Sequence, residues 1–128
     1  MNNNNVKQCP VELTMNLINK KWVIQIVRDM FFGKSHFNEF KEDKPKLSNK
    51  VLSSCLKDME DNGLIEKVFD KENPLNTEYH LTQKGFALNK VVYELAMFSL
   101  NSDVTGKYYT DDDKKNIEEV FRESLNID

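Results

Sequence analysis

Hydrophobic residues recur along the chain with two different periods. At helical spacing they predict six helices, at about residues 10–18, 20–32, 35–40, 48–62, 83–100 and 111–125. Between the fourth and fifth of these helices the spacing shortens toward alternation, which predicts strands within 64–69 and 77–81. The predicted order along the chain is therefore four helices, two strands and two more helices.

Residues with special backbone preferences mark the ends of these segments. Pro10 fits the first position of a helix whose N-cap is Cys9, and Ser48 fits the N-cap of the fourth helix. Gly33 and Gly63 follow the second and fourth helices, where glycine commonly ends a helix. The turn-rich stretch DKENPLN separates the two strands, so we expect a hairpin.

This order of elements predicts an α+β, mostly α fold. It is the layout of a winged helix-turn-helix with a two-stranded wing and additional N- and C-terminal helices available for dimerisation. Residues 35–40 are then the positioning helix, residues 48–62 the recognition helix and residues 64–81 the wing.

The recognition helix has two chemically different faces. One face carries five apolar side chains that we expect in the core: Val51, Leu52, Cys55, Leu56 and Met59. The other face carries basic and hydroxyl side chains: Lys50, Ser53, Ser54 and Lys57. No acidic residue occurs between residues 44 and 57. Phosphates would repel an acid on a helix in the major groove, whereas Lys, Ser and Asn donate hydrogen bonds to phosphates or base edges.

Double-stranded DNA is therefore the predicted partner, and its contacts extend beyond that face. The candidate DNA-binding side chains are Lys46, Ser48, Asn49, Lys50, Ser53, Ser54, Lys57, Lys67 and Lys71. The last two lie on the wing, where a solvated hairpin is an equally good interpretation.

Overall charge does not favour DNA binding by itself. The formal net charge is −3; residues 1–100 hold 14 basic and 13 acidic side chains, a balance of +1, and residues 101–128 hold 4 and 8, a balance of −4. A DNA-binding domain usually has a basic excess, so a DNA site in this chain must be a local patch. The alternative is a winged helix that binds other proteins without touching DNA. An enzyme is a third possibility, although no catalytic constellation is recognisable.

No cofactor and no metal site are expected. His36 and His80 are the only histidines, and they have no neighbouring ligands at metal spacing. The two cysteines lie far apart and form no disulfide framework. Trp22 is expected in the core where the first two helices meet, with ligand stacking as the alternative.

The sequence also predicts domains and location. We expect a flexible leader at 1–8, a DNA-binding and dimerisation domain at 9–100, and a linker with a C-terminal amphipathic helix at 101–128. The N-terminus lacks the apolar core of a signal peptide, and no apolar run is long enough to span a membrane. A cytoplasmic protein without a membrane partner is therefore expected.

Four motifs together resemble one known family. CPVELTMNLINKKW, HFNEF, LSNKVLSSCLKDMEDNGLI and NPLNTEYHLTQKG occur in this order between Cys9 and Leu100, and the series is similar to that of HxlR-type winged-helix regulators. The resemblance implies a homodimeric prokaryotic transcriptional regulator whose first and last domain helices form the dimer interface. The chain departs from the family at Lys50, where Arg is frequent and offers a rigid bidentate fork. Its segment after Leu100 is also longer.

The fifth helix carries more apolar surface than one small domain covers. We therefore expect a two-fold homodimer formed, with help from the first helix, through Val91, Leu95 and Phe98. The last helix is expected to pack across this dimer through Ile117, Val120 and Phe121. The two recognition helices would then lie about 34 Å apart, one turn of DNA.

Cys9 is a candidate redox sensor. A thiol at a helix N-terminus lies near unpaired N–H groups that favour the thiolate, which reacts with oxidants and electrophiles. Lys7 supports this effect and Glu12 opposes it. The resemblance adds that some family members sense electrophiles through the cysteine of this Cys-Pro pair. The alternative is that Cys9 only caps the helix beside the dimer interface. The sequence identifies no small-molecule inducer.

Overall fold

A computed structural model describes residues 8–128 of the 128-residue chain. Residues 1–7, which include most of the predicted leader and Lys7, lie outside the described residues. Within 8–128 the elements are α1 (Pro10–Ile18), α2 (Val23–Phe31), the positioning helix (3₁₀, Phe37–Lys41), α3 (Asn49–Asp61), β1 (Ile65–Val68), a 3₁₀ turn (Pro74–Asn76), β2 (Glu78–Leu81), α4 (Gln83–Phe86), α5 (Asn89–Ser102) and α6 (Asp111–Ser124). This order confirms the predicted winged helix-turn-helix.

The core lies between α2, α3 and α5. α2 contributes Val23, Ile26 and Val27, each at most 1% exposed. The positioning helix adds Phe40, whose ring packs edge-on against the ring of Tyr79 in the wing. The recognition helix is therefore held against α2 by side chains from several parts of the chain.

The wing is the predicted hairpin. β1 and β2 pair antiparallel, with Ile65 opposite Leu81 and Val68 opposite Glu78. Ile65 and Leu81 are buried, so the base of the wing joins the core while the rest of β1 faces outward. Gly63 precedes the wing with φ at 77°, a conformation that glycine adopts without strain.

The predicted fifth helix is two helices. α4 and α5 are separated at Leu88, whose ψ of 0° is not helical and whose side chain is buried. A close approach explains the placement of α4: a Cβ on Gly85 would lie 2.1 Å from the carbonyl oxygen of Leu64. Only glycine at this position lets α4 pack against the chain just before the wing.

The structure describes the segment around residue 100, where a domain boundary and a following linker are predicted. α5 continues to Ser102, and the following turn is ordered by the buried carboxylate of Asp103. This carboxylate accepts the backbone N–H groups of Lys107, Tyr108 and Tyr109 at 2.8–3.1 Å. Burial raises the pKa of Asp103, but the three backbone donors outweigh this effect, and the net result is a lowered pKa.

α6 packs on its own chain. Leu125, just after the helix, is fully buried, and its carbonyl oxygen accepts the Asn89 side-chain N–H at 2.9 Å. The Phe121 ring meets the Phe32 ring edge-on, 5.2 Å between centroids. Ile117 and Phe121, predicted to cross a dimer, are thus partly buried against the core of their own chain. Val120 remains half exposed.

Candidate nucleic-acid interface

α3 begins at a side-chain cap and divides into two faces. The Ser48 Oγ accepts the backbone N–H of Val51 at 3.1 Å, which fixes the start of the helix. The buried side chains of α3 are Leu52, Cys55, Leu56 and Met59. Its exposed polar side chains are Asn49, Lys50, Ser53, Ser54 and Lys57. Val51, predicted in the core, is instead 45% exposed, because it lies about 100° around the helix from Leu52.

A buried ion pair holds the segment that leads into α3. The Lys44 ammonium contacts the carboxylate of Asp29 on α2, and each residue is only 4% exposed. Arg28 Nη2 donates to Asp29 Oδ1 at 2.9 Å, and Lys44 Nζ also donates to Asp43 Oδ1 at 2.9 Å. The bond from Lys44 lowers the pKa of Asp43. Sequence reasoning missed this pair, because Lys44 stands among other charged residues in KEDKPK and nothing local distinguishes it.

Two of the three acids at the end of α3 are paired with lysines. Asp58 contacts the ammonium of Lys20, from the turn between α1 and α2. Asp61 Oδ2 lies 3.7 Å from Lys57 Nζ, one helical turn away. Asp58 is therefore neutralised where it could oppose phosphates, while Lys57 shares its charge with an acid.

A groove of about 520 Å³ lies between the start of α3 and the wing. Asn49 and Lys67 line it from the two sides, together with Tyr79. The Lys67 ammonium lies 6.0 Å from the centroid of the Tyr79 ring, which keeps the lysine close to the base of the groove. Lys41 Nζ donates to the Asn49 side-chain oxygen. Lys41 was not among the predicted contacts; its place at the end of the positioning helix was the available signal.

The wing is fastened to the positioning helix. That helix, predicted to begin at Ser35, is capped by His36, because Glu39 Oε1 accepts the backbone N–H of His36 at 2.8 Å. Ser35 instead pairs with the wing: its carbonyl oxygen accepts the N–H of Tyr79 at 2.8 Å. The His36 Nε2 lies 3.3 Å from the Asn76 side-chain oxygen. Wing and recognition helix therefore share one rigid support.

The remaining predicted lysines stand apart. Lys46 is exposed in the turn before α3, and Lys71 is exposed in the connection between the strands. Neither forms an ion pair with any residue in the range 8–128. The structure brings the candidates Asn49 and Lys67 to one groove, whereas Lys46 and Lys71 do not line it.

The two cysteines have opposite surroundings. Cys9 is exposed at the N-cap of α1, and its thiol makes no capping hydrogen bond with the described residues. Cys55 is buried, and its thiol lies 3.8 Å from the Met59 sulfur. Burial, and secondarily the charge of Asp58, raise the pKa of Cys55 to about 11. Cys55 is thus a neutral core thiol at physiological pH.

Two of the three predicted dimer residues are exposed. Leu95 and Phe98 on α5 are 52% and 73% exposed, whereas Val91 is partly buried against the core of its own chain. Within residues 8–128 no helix is long and apolar enough to cross a membrane.

Comparison with known proteins gives a consistent set of relatives. The family model described as HxlR-like helix-turn-helix matches residues 17–104. The uncharacterized HTH-type transcriptional regulator YvaP of Bacillus subtilis (strain 168) is 34% identical over 97 residues, covering 75% of this chain and 90% of that protein. The HTH-type transcriptional regulator YodB of the same organism is 35% identical over 88 residues, with coverages of 68% and 79%.

Solved structures agree with these relatives. The redox regulator HypR in its reduced form matches with a TM-score of 0.70 and 31% identity, over 78% of this chain and all of that chain. Reduced YodB from B. subtilis matches with a TM-score of 0.62 and 33% identity, over 73% and 92%. A quinone-bound form of YodB also matches, with a TM-score of 0.60.

Proposed function

The chain belongs to the HxlR-like helix-turn-helix family of transcriptional regulators, and from this premise we propose that it is a homodimeric, sequence-specific DNA-binding regulator acting in the cytoplasm. The observation that carries the proposal is the exposed face of α3, which holds lysine, serine and asparagine side chains and no acid from residue 44 to residue 57. Such a face suits the major groove.

Two further features support DNA binding. The groove between α3 and the wing holds Lys67 beside Asn49, so phosphate and base contacts lie within one surface. The ion pair between Lys20 and Asp58 partly neutralises an acid of α3. The acidic remainder of the chain then limits binding to this patch.

Selection of duplexes from a random pool, followed by affinity measurements over a range of salt concentrations, tests the proposal. Replacing Lys50 and Lys57 together with Ala should weaken operator binding by on the order of 1–3 kcal/mol for each contact that reads a base. The slope of log affinity against log salt concentration should also become shallower, by about the contribution of two phosphate contacts. Lys115→Ala, on the exposed surface of α6, is the matched control. Unchanged operator affinity in the double variant would exclude α3 as the reading helix.

A protein-interaction module without DNA contact is the second candidate, favoured by the four net negative charges of residues 101–128. The same salt series separates the two. Phosphate contacts make affinity fall steeply as salt rises. No duplex selected from the pool, or retention independent of salt, would support the second candidate.

Dimerisation is part of the proposal because α1 and α5 both present apolar side chains to solvent. Val11, Leu13 and Met15 on α1 and Leu95 and Phe98 on α5 are about half exposed or more. Continuous exposed apolar surface is rare in monomers. A two-fold arrangement covers it and places two copies of α3 for two half-sites.

We further propose that Cys9 responds to electrophiles, with a quinone as the reactant. Cys9 is exposed, whereas Cys55 is buried and protonated. The Cys9 sulfur would form a C–S bond to a ring carbon of the quinone. The thiol proton and the displaced ring hydrogen end on the two quinone oxygens, so the ring leaves the reaction as a hydroquinone thioether and no other oxidant is needed. HypR is named a redox regulator, and YodB is known in a quinone-bound form.

The test compares operator binding before and after treatment with benzoquinone, in the wild type and in Cys9→Ser. The wild type should lose affinity and carry the adduct at Cys9 in peptide mass spectrometry, while Cys9→Ser should keep its affinity. Equal loss in both proteins would assign the effect to another residue. An adduct on Cys9 with unchanged affinity would show that Cys9 is only the N-cap residue of α1 and not a sensor.

A further inference from the structure

An apolar notch lies on the flank of the recognition helix. It is formed by Trp22, from the turn before α2, and by Val51 and Cys55 on α3, and it has a volume of about 240 Å³ open to solvent. Its rim consists of polar side chains, at Lys20, Lys50, Ser54 and Asp58. The notch is separate from the groove between α3 and the wing, which lies at the other flank of α3.

The side chains that line the notch are apolar, and the core leaves two of them partly exposed. Val51 belongs to no core stripe and stays half exposed, and Trp22 is only partly buried against the core. Cys55 also lines the notch, and the raised pKa of its thiol keeps it neutral. An indole ring, an isopropyl group and a neutral thiol make a surface that water wets poorly.

Volume and charge together define the ligand. A cavity of ~150 Å³ can hold benzene, so a notch of about 240 Å³ suits a molecule with one substituted ring. Lys20 at the rim is already paired with Asp58. Lys50, the other lysine of the rim, forms no ion pair with any residue from 8 to 128, so its ammonium is available to an anionic group.

We propose that this notch binds a small aromatic carboxylate, with its ring between Trp22 and Val51 and its carboxylate on Lys50, and that the bound ligand competes with DNA for α3. The competition rests on the proposed DNA-binding function. Lys50 and Ser54 belong both to the rim of the notch and to the predicted DNA-reading face. A carboxylate on Lys50 takes the position of a phosphate or base acceptor, and the ring adds bulk on the flank that faces the duplex. No conformational change is required.

Ligand binding can be measured without DNA, because Trp22 is the only tryptophan of the chain. The probes are 4-tert-butylbenzoate and the neutral 4-tert-butylbenzyl alcohol, which share ring and bulk and differ in charge. The carboxylate should change Trp22 emission saturably and bind roughly fivefold or more tightly than the alcohol, as expected for a charge-assisted contact. No saturable change, or equal binding of the two probes, overturns the proposal.

Two variants locate the site. Val51→Phe fills the notch at a half-exposed position and should abolish the emission change. Lys50→Gln should bring carboxylate binding down to the level of the alcohol, while Lys90→Gln on the exposed surface of α5 should leave it unchanged. Wild-type binding in Val51→Phe, or equal losses in the two lysine variants, would place the probe elsewhere and overturn the proposal.

Competition is tested separately with a selected duplex. Saturating carboxylate should weaken duplex binding by roughly tenfold in the wild type and leave Val51→Phe unaffected. Saturable emission change with unaltered duplex affinity would overturn the competition. If no duplex is bound under any condition, the proposed DNA-binding function fails, and the emission titration still decides whether the notch binds the carboxylate.

Discussion

α1 and α2 are two nine-residue helices that follow each other in the chain, and they use their apolar side chains in opposite ways. α2 buries Val23, Ile26 and Val27 in the core of its own chain. No side chain of α1 is fully buried among residues 8–128: Leu13 and Met15 are each 48% exposed, and Ile18 is only partly buried against the core. Both sequences, PVELTMNLI and VIQIVRDMF, are mostly apolar. The difference lies in what each helix faces.

This contrast shows what hydrophobic spacing can and cannot predict. Spacing identifies a helix with a face that needs cover, but it does not say which chain supplies the cover. For α2 the cover comes from its own chain, including α5 and β2. For α1 we expect a second copy of the chain, because Leu95 and Phe98 leave a similar face exposed on α5.

The contrast between α1 and α2 should be largest when one apolar side chain of each helix is truncated to alanine. Ile26→Ala in α2 removes a fully buried side chain and should lower the free energy of unfolding by about 4 kcal/mol. Val11→Ala in α1, two-thirds exposed, should cost less than ~0.5 kcal/mol in dilute protein. Its cost should grow as protein concentration rises, because dimer formation is linked to stability. Urea unfolding at two protein concentrations measures the cost of each substitution. A large cost for Val11→Ala that does not depend on protein concentration would contradict the comparison.

The second prediction concerns the buried carboxylate of Asp29 on α2. Asp29→Asn leaves the ammonium of Lys44 buried with only Asp43 as an acidic partner, and should cost about 3 kcal/mol of unfolding free energy. The double variant Asp29→Leu with Lys44→Met removes both charges and should recover most of that loss. If the double variant is as unstable as Asp29→Asn, packing rather than the unpaired charge accounts for the effect.

A charge placed on α1 should break the dimer and leave the fold intact. Leu13→Glu buries a carboxylate in the proposed interface, and should weaken dimerisation by ~100-fold, or ~2.7 kcal/mol. Light scattering at micromolar concentration should then give the mass of one chain, with an unchanged helical circular dichroism spectrum. Leu75→Glu, on the exposed turn of the wing, is the control and should keep the wild-type mass. A monomeric wild type would remove the basis of the comparison.

Features encoded in short stretches of sequence were predictable. Ser48 caps α3, Gly63 ends it, and the two strands pair as the alternation suggests. These elements depend on residues within a few positions of each other, where capping and turn preferences act. The fold class followed from their order, and so did the exposure of the polar face of α3.

Features that depend on distant residues were missed. The ion pair of Lys44 with Asp29 joins positions 15 apart, and Gly85 approaches the carbonyl of Leu64, 21 positions earlier. Val51 looked like a core residue because spacing alone does not show where a buried stripe ends. Roles that need DNA or a second chain, such as those of Lys50 and Leu95, stay predictions.

The prediction with the smallest expected effect concerns the capping bonds at the helix starts, and asks whether they contribute to the difference between α1 and α2. Neither α1 nor α2 begins with a side-chain capping bond to the described residues, whereas the positioning helix begins with a reciprocal one through Glu39. Backbone N–H groups of Ser35 and His36, followed by the His36 ring, lower the pKa of Glu39 from 4.5 to about 2. A carboxyl with a lowered pKa in the folded state adds stability above its unfolded pKa and loses it as pH falls toward the folded value.

Wild type should therefore lose stability relative to Glu39→Gln between about pH 4.5 and about pH 2. The expected loss is ~1 kcal/mol, because the side chain is 40% exposed and solvent screens part of the interaction. His36 does not change this window: Glu39 and Asn76 raise its pKa above 6.5, so it is protonated in folded and unfolded chains at these pH values. Urea midpoints of the two proteins at stepped pH measure the difference. If the urea midpoints of the two proteins change in parallel with pH, the Glu39 cap adds no measurable stability. The surfaces that α1 and α2 face would then be enough to explain how the two helices differ.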